Sequence, residues 1–293
     1  VNLAARQAAE KQALVDRFSW YQTIDFGDGV RSTGTVDHAA WFERYGFPAV
    51  GGRTVLDVGA SDGYFSFAFE RLGAARVVAS DIDRWAEEPG LDLPTRTRAR
   101  RLEKLRARAG EEDLVEERTR LVRELGFERP NPFYLARELL KSRVELRYLS
   151  VYDLPSLGEQ FDLVFLGTVT THLADLPGAF EALFRVTRGQ AVVACADCLD
   201  FEQPTGLRRI ALHLVRTLRV AARLEDAVTV SREAPVALYA ANDGGSLWRP
   251  SVACVREMLL SAGFRDVTVH TRFALPNARR GTLMKHVVFH AFR

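Results

Sequence analysis

Thr54–Asp83 reads TVLDVGASDGYFSFAFERLGAARVVASDID, and the order of its parts decides the fold. Thr54–Val58 is a short, β-rich apolar run carrying one acid, Asp57, just before a glycine-bearing loop. From Gly63 to Leu72 the residues Phe65, Ala68, Phe69 and Leu72 recur at i, i+3, i+4, i+7, the spacing of one helix face. A second apolar run, Arg76–Ser80, stops at another acid, Asp81. The pattern is strand, loop, helix, strand. Gly59 and Gly63 let the backbone turn tightly and approach a ligand without a Cβ in the way. An acid at the tip of the second strand can accept both ribose hydroxyls of an adenosine.

The loop Gly59-Ala60-Ser61-Asp62-Gly63 is not the G-x-G-x-x-G that seats a pyrophosphate on a helix N-terminus. Asp57 and Asp62 beside it suit a cation better than a polyphosphate, and a sulfonium ligand carrying an ammonium group meets that description. This loop resembles the first motif of the class I S-adenosylmethionine (SAM) methyltransferases: an acid, two residues on a glycine, then a short glycine-containing loop. Ser61 stands where the usual loop has its middle glycine.

Strand and helix signals go on alternating, which predicts an α/β, Rossmann-like sheet of seven strands with helices on both faces. Val144–Ser150, Phe161–Gly167 and Gln190–Cys198 read as strands, and the nearly unbroken apolar run of Phe161–Gly167 suits burial on both sides. Pro177–Val186 reads as an amphipathic helix. Ser251–Gly263 reads as another, with Ser251 as N-cap and Gly263 past its end. Asp266–Phe273 and Met284–Phe292 read as a closing hairpin. The expected organisation is an N-terminal cap or arm over 1–50 and a methyltransferase domain over 51–293. That domain is interrupted by a charged helical insertion at 85–143 and a lid insertion at 199–250. The first insertion holds the charge-dense run Arg96–Leu125; the second holds a helical stretch, Gly206–Leu224, with Arg209, His213, Arg216 and Arg223 on one face.

The chain has 293 residues, 47% hydrophobic and 27% charged, enough to bury a substantial core. A formal net charge of +2 argues neither for nor against a polyanionic partner. Three cysteines are too few for a disulfide framework, so a cytoplasmic setting is expected. No apolar run reaches the length of a membrane span. Cys195 and Cys198 have C-x-x-C spacing, but no second pair completes a zinc site, and two packed thiols are the expectation. His286 and His290 fall on a strand, where residues four apart do not converge on a metal, so no metal site is expected.

The stretches SWYQTIDFGDGVRSTGTVDH (Ser19–His38), GTVTTHLADLPGAFEAL (Gly167–Leu183) and SLWRPSVACVREMLLSAGF (Ser246–Phe264) extend the likeness. With the glycine loop, they are similar to methyltransferases related to the tRNA wobble-uridine (5-oxyacetate) modification enzyme. The basic, tryptophan-rich stretch of the tRNA-acting branch has no counterpart here, so a small-molecule acceptor is expected and a nucleic acid is not. The resemblance implies SAM as cofactor, its methionine end held by Asp57, Gly59, Ala60, Ser61 and Gly63, and its ribose by Asp81. It implies adenine contacts from Ile82, Val151 and Tyr152, with Leu166 and Gly167 beside the methyl-bearing region. Trp20, Tyr21, Tyr239, Trp248 and Arg249 are the expected acceptor contacts. His172, a few residues past the fourth strand, is the expected general base, since its ordinary pKa suits proton abstraction at neutral pH. Three functions are carried forward: O-methylation of a small, aromatic or apolar natural-product acceptor, carboxymethyl or methyl transfer to a wobble uridine, and SAM binding without transfer. The oligomeric state is not legible in the sequence.

Overall fold

The computed structural model describes residues 7–82, 120, 122–128, 131–196, 198–201, 235–239 and 247–293. The chain begins with helix α1 (Ala8–Val15), a small ribbon of β1 (Asp25–Gly27) and β2 (Val30–Arg31), and a 3-10 turn at Ala39–Tyr45. Then come β3 (Thr54–Val58), α2 (Tyr64–Arg71) and β4 (Arg76–Asp81), followed by α3 (Pro132–Leu140) and β5 (Glu145–Tyr148). β6 (Phe161–Gly167), α4 (Leu176–Val186) and β7 (Thr187–Ala196) complete the parallel part. A short pair, β8 (Ala237–Tyr239) and β9 (Trp248–Pro250), precedes α5 (Val252–Ser261) and the hairpin β10 (Asp266–Asn277) and β11 (Thr282–Phe292).

Seven strands form one sheet in the order β10-β11-β7-β6-β3-β4-β5. β5, β4, β3, β6 and β7 run parallel; β11 pairs antiparallel with β7, and the edge strand β10, antiparallel to β11, again runs in the direction of the parallel set. The chain leaves β3 toward β4 on one side and later lays β6 on its other side. That reversal opens a crevice beyond the carboxyl end of β3, the position where open α/β sheets bind ligands.

Period-two alternation sorts the strand side chains into two cores. Val55, Val77, Ala79, Phe165 and Val192 face one core with Phe69 of α2, Phe133 of α3 and Tyr45 of the arm. Leu56, Val58, Val78, Val164, Leu166 and Val193 face the other, against Phe180 and Leu183 of α4 and Val255 and Leu259 of α5. Both faces of β6 are therefore covered, which is why its sequence shows almost no polar alternation. Rings bind the arm to the first face: Phe47–Phe69, Phe47–Phe165 and Tyr45–Phe273 lie at centroid distances of 4.8, 5.0 and 5.2 Å. Fully burying one such ring is worth roughly 1.5–3 kcal/mol.

Helix ends follow local chemistry. Ser251 Oγ accepts the N–H of Cys254 at 3.1 Å, and Gly263 takes φ +115° just beyond α5, as expected of both. Asp175 caps α4 through Gly178 N–H at 3.0 Å. β10 runs to Asn277, beyond the expected stop at Phe273. The sequence LPN reads as a breaker, but β10 is an edge strand, where proline removes no ladder hydrogen bond that must be made. Leu275 simply continues the alternation and is fully buried. Most of Arg96–Leu125, and all of Gly206–Leu224, lie outside the described residues. Among the described residues no helix is long and apolar enough to cross a membrane.

Candidate cofactor and acceptor site

The turn after β3 is built by residues that tolerate left-handed backbone. Gly59 has φ +75°, and a Cβ there would lie 2.2 Å from Val169 Cγ2. Gly63 has φ +95°, and its Cβ would meet the Phe67 ring at 2.5 Å and the Phe133 ring at 2.7 Å. Ser61, replacing the usual glycine, adopts φ +54°. Gly59 and Ala60 donate their N–H groups to Ser80 O at 2.7 and 3.0 Å, which folds the loop back over the tip of β4. Asp81 then accepts Ser61 N–H at Oδ2 and Ile82 N–H at Oδ1, both at 2.7 Å. These two bonds fix the carboxylate at the strand tip, the position from which an acid can meet a ribose diol. This donor and acceptor set fits an adenosine-bearing cofactor.

The other two acids face elsewhere. Asp57 is buried beneath the loop and accepts Ser66 Oγ–H at 2.6 Å from α2. Burial pushes its carboxyl up to about 7, the Ser66 hydrogen bond opposing and Asp81 adding to the shift. A group half-neutral near pH 7 adds little attraction for a cation. Asp62 Oδ2 accepts the N–H groups of Tyr21 at 2.5 Å and Gln22 at 2.8 Å. Gln22 answers from the arm, its Oε1 accepting Tyr64 N–H at 2.9 Å at the start of α2. The arm and the loop thus hold each other through reciprocal side-chain contacts to backbone.

The remaining expected residues divide by location. Leu166 is buried in the second core, Gly167 is half-buried at the tip of β6, and Val151 and Tyr152 pack in the turn after β5. The Tyr152 hydroxyl accepts Asp175 N–H at 3.1 Å. His172 is exposed in a 3-10 turn, Thr170–His172, just past β6. The lid root meets this turn: Leu247 N–H donates to Thr171 O at 2.7 Å and Trp248 Nε1–H to Ala174 O at 2.8 Å. Tyr239 packs beside Trp248 with ring centroids 4.7 Å apart, and Arg249 pairs opposite Leu238. Trp20 is buried instead, with Nε1–H on Val15 O at 2.8 Å and its ring against Phe18 and Phe26. It anchors the arm, whereas its neighbour Tyr21 is exposed and places its hydroxyl 3.9 Å from Met284 sulfur.

Three residues to which the sequence assigned no role belong to this neighbourhood. Gln22 forms the clasp just described. His38 is buried against Tyr64 and Phe65, with Nδ1 3.3 Å from the Tyr45 hydroxyl. Burial first, and then the nearby His286, lower its pKa to about 3. Thr168, at φ +62°, reaches His286 Nε2 with Oγ1 at 3.0 Å. Only the placement of a non-glycine on a left-handed turn could have flagged Thr168, and dihedrals are not written in sequence. Cys195 and Cys198 are buried neighbours and Cys254 is a third free thiol; the Cys195 contact, then burial, raises the Cys198 pKa. Among the described residues no three His, Cys, Asp or Glu side chains gather into a metal site.

A seven-stranded sheet with a single reversed strand, β11, and a glycine loop closing onto a strand-tip aspartate have the architecture of a Rossmann-like SAM-dependent methyltransferase. The chain belongs to the methyltransferase domain family, which matches residues 34–269. No curated protein matches the sequence. Among solved structures, the N-terminal domain of EvdMO1 with SAH bound is similar at 15% identity and TM-score 0.50, covering 98% of this chain and 97% of that one. The same domain in the presence of SAH and D-fucose gives TM-score 0.51 at 15% identity, with the same coverage of 98% and 97%. Magnesium protoporphyrin IX methyltransferase (ChlM) from Synechocystis PCC 6803, with bound SAH, gives 14% identity and TM-score 0.41 over 87% of this chain and 78% of that one. At such identities the EvdMO1 likeness speaks for the fold alone.

Proposed function

We propose that this methyltransferase modifies a hydroxyl of a small-molecule acceptor with an aromatic or otherwise apolar skeleton. The observation that carries the cofactor half is Asp81, with both carboxylate oxygens fixed by backbone N–H groups at the switch point of the sheet. Asp81 would hold the ribose, and Gly59, Ala60, Ser61 and Gly63 the methionine end. Asp57 would act from behind the loop, by keeping α2 and β3 in register. Ile82, Val151 and Tyr152 would flank the adenine. When bound, SAM supplies a methyl group on a positively charged sulfur, already an excellent leaving group. The chain's part is then to align the nucleophile, exclude water and receive a proton. His172, in the turn whose Thr171 meets the lid root, would receive it. Leu166 and Gly167 would back the reacting region, with Tyr21, Tyr239, Trp248 and Arg249 contacting the acceptor. A net charge of +2 and the missing basic stretch favour a small molecule over a tRNA wobble uridine.

Calorimetry with SAH tests this reading. Asp81→Ala should weaken SAH on the order of 1–3 kcal/mol, up to ~100-fold in affinity. Unchanged affinity in a folded variant would remove the cofactor assignment. Binding to tRNA should be weak and fade between low and physiological salt; tight, salt-tolerant binding would put the wobble uridine in place of the small molecule.

A further inference from the structure

We propose that Thr168 receives the acceptor's nucleophilic group, that His286 is the positioning residue fixing the polarity of that contact, and that the nucleophile therefore carries its own hydrogen, as O–H or N–H. The inference rests on the reading above, which places methyl transfer at the tip of β6, and it narrows what can be methylated there.

Position comes first. Thr168 directly follows β6, and its neighbour Val169 lies so close to Gly59 that a Cβ on the glycine would fall 2.2 Å from Val169 Cγ2. The threonine thus stands next to the cofactor loop, half-buried, with its N–H held by Ala194 O at 2.9 Å. Its backbone is left-handed at φ +62°, which a β-branched residue adopts only where surrounding structure enforces it. Glycine or asparagine would make this turn at less cost, so the hydroxyl is retained against a conformational penalty.

Polarity comes next. His286 Nδ1 lies 2.9 Å from Met284 O, and a carbonyl can only accept, so Nδ1 carries the hydrogen. With that hydrogen on Nδ1, Nε2 of the neutral ring is an acceptor. Thr168 Oγ1–H, at 3.0 Å, must therefore donate to it. The ring is stacked on Phe273 at 5.3 Å and 12°, which keeps it from turning over. Having given its only hydrogen to His286, the Thr168 hydroxyl offers lone pairs alone to anything on its open side. A hydroxyl or amine satisfies them and is turned with a lone pair of its own toward the methyl group. As the new C–O or C–N bond forms, the methyl–sulfur bond breaks to leave SAH, and the hydrogen held at Thr168 is then lost to His172. A carbanion, thioether or already ionised oxygen finds no donor at that atom.

Two measurements test this. Nitrogen-15 NMR of histidine-labelled protein, without ligand, should show His286 protonated at Nδ1 and bare at Nε2. The Nε2 resonance should move in Thr168→Val, which keeps the β-branched shape and removes the donor. A hydrogen on Nε2, or an Nε2 signal indifferent to Thr168→Val, overturns the proposal. In the SAH-saturated protein, phenol should bind roughly 3- to 10-fold more tightly than anisole, its methylated analogue without the hydrogen. Thr168→Ser should keep that preference and Thr168→Val lose it, with SAH affinity alike in all three. Equal binding of the two probes by the unmutated protein, or a preference that survives Thr168→Val, also overturns it. If the unmutated protein fails to bind SAH, the cofactor reading falls instead, and the tautomer still decides the polarity of the pair.

Discussion

The β3–α2–β4 unit and the N-terminal arm lie against each other, yet they are held by different physics. The first is a local structure: its turn closes through Gly59, Ala60 and Ser61 onto Ser80 and Asp81, all within thirty residues. The arm has little regular structure of its own, and a chain of hydrogen bonds and rings ties it to distant elements. Asp62 takes Tyr21 and Gln22 N–H, Gln22 takes Tyr64 N–H, and His290 Nε2 lies 2.9 Å from Tyr45 O. Backbone conformation makes the one region, and side chains borrowed from elsewhere in the sequence make the other.

If that contrast is right, Gly63→Ala should do the greatest damage. The new Cβ would enter the Phe67 and Phe133 rings from a left-handed backbone, at a cost of about 2–5 kcal/mol, read as a lowered denaturation midpoint. A melt close to that of the unmutated protein would show that the loop is not under backbone control. Asp62→Ala should cost about 2–3 kcal/mol by stripping an ionised acceptor from two N–H groups. Its signature is regional: hydrogen exchange should rise at Tyr21 and Gln22 while β3 and β4 stay protected. Uniform exchange across both regions would mean that they unfold as one piece.

Titration should separate the same two regions with opposite signs. His38, in the arm, has its pKa lowered from 6.5 to about 3, so the unfolded chain takes up the proton first. Stability is then lost as pH falls from about 6.5 toward about 3. Asp57, in β3, is raised from 3.8 to about 7, so the folded state holds its proton longer. Its contribution is complete below about 3.8 and is lost as pH rises through about 7. Each slope is at most about 1.4 kcal/mol per pH unit. Urea midpoints across pH should lose the acid-side decline in His38→Gln and the neutral-side decline in Asp57→Asn; either variant flattening the other's limb would contradict the assignment. The smallest effect belongs to the lid root. Trp248→Phe removes the bond to Ala174 O and should cost about 1 kcal/mol, with exchange raised near Thr171 and unchanged in the arm.

The strands, the helices and their alternation were legible because hydrophobic periodicity and glycine placement are local properties. Phe161–Gly167 was read with the bounds the structure has, and Ser251 caps α5 as its position predicts. The place of Asp81 at the end of β4 was legible too, since the apolar run stops on it. Which way Asp57 and Asp62 face was not. Both look like cofactor acids in sequence, and only packing turns one toward Ser66 and the other toward the arm. Trp20 and Tyr21 are adjacent and alike on paper, but the fold buries one ring and exposes the other.

Sequence alone therefore determined the class of fold and the glycine turn, because these follow from periodicity and turn chemistry, and its motifs carried the resemblance that pointed to methyl transfer. Tertiary structure alone decided the pairing proposed for the acceptor site. Thr168 and His286 are 118 residues apart and meet only because β6 and β11 flank β7 in one sheet. The left-handed turn at Thr168 and the carbonyl that fixes the His286 tautomer depend on that long-range strand order, and no window of sequence short enough to show a pattern contains both.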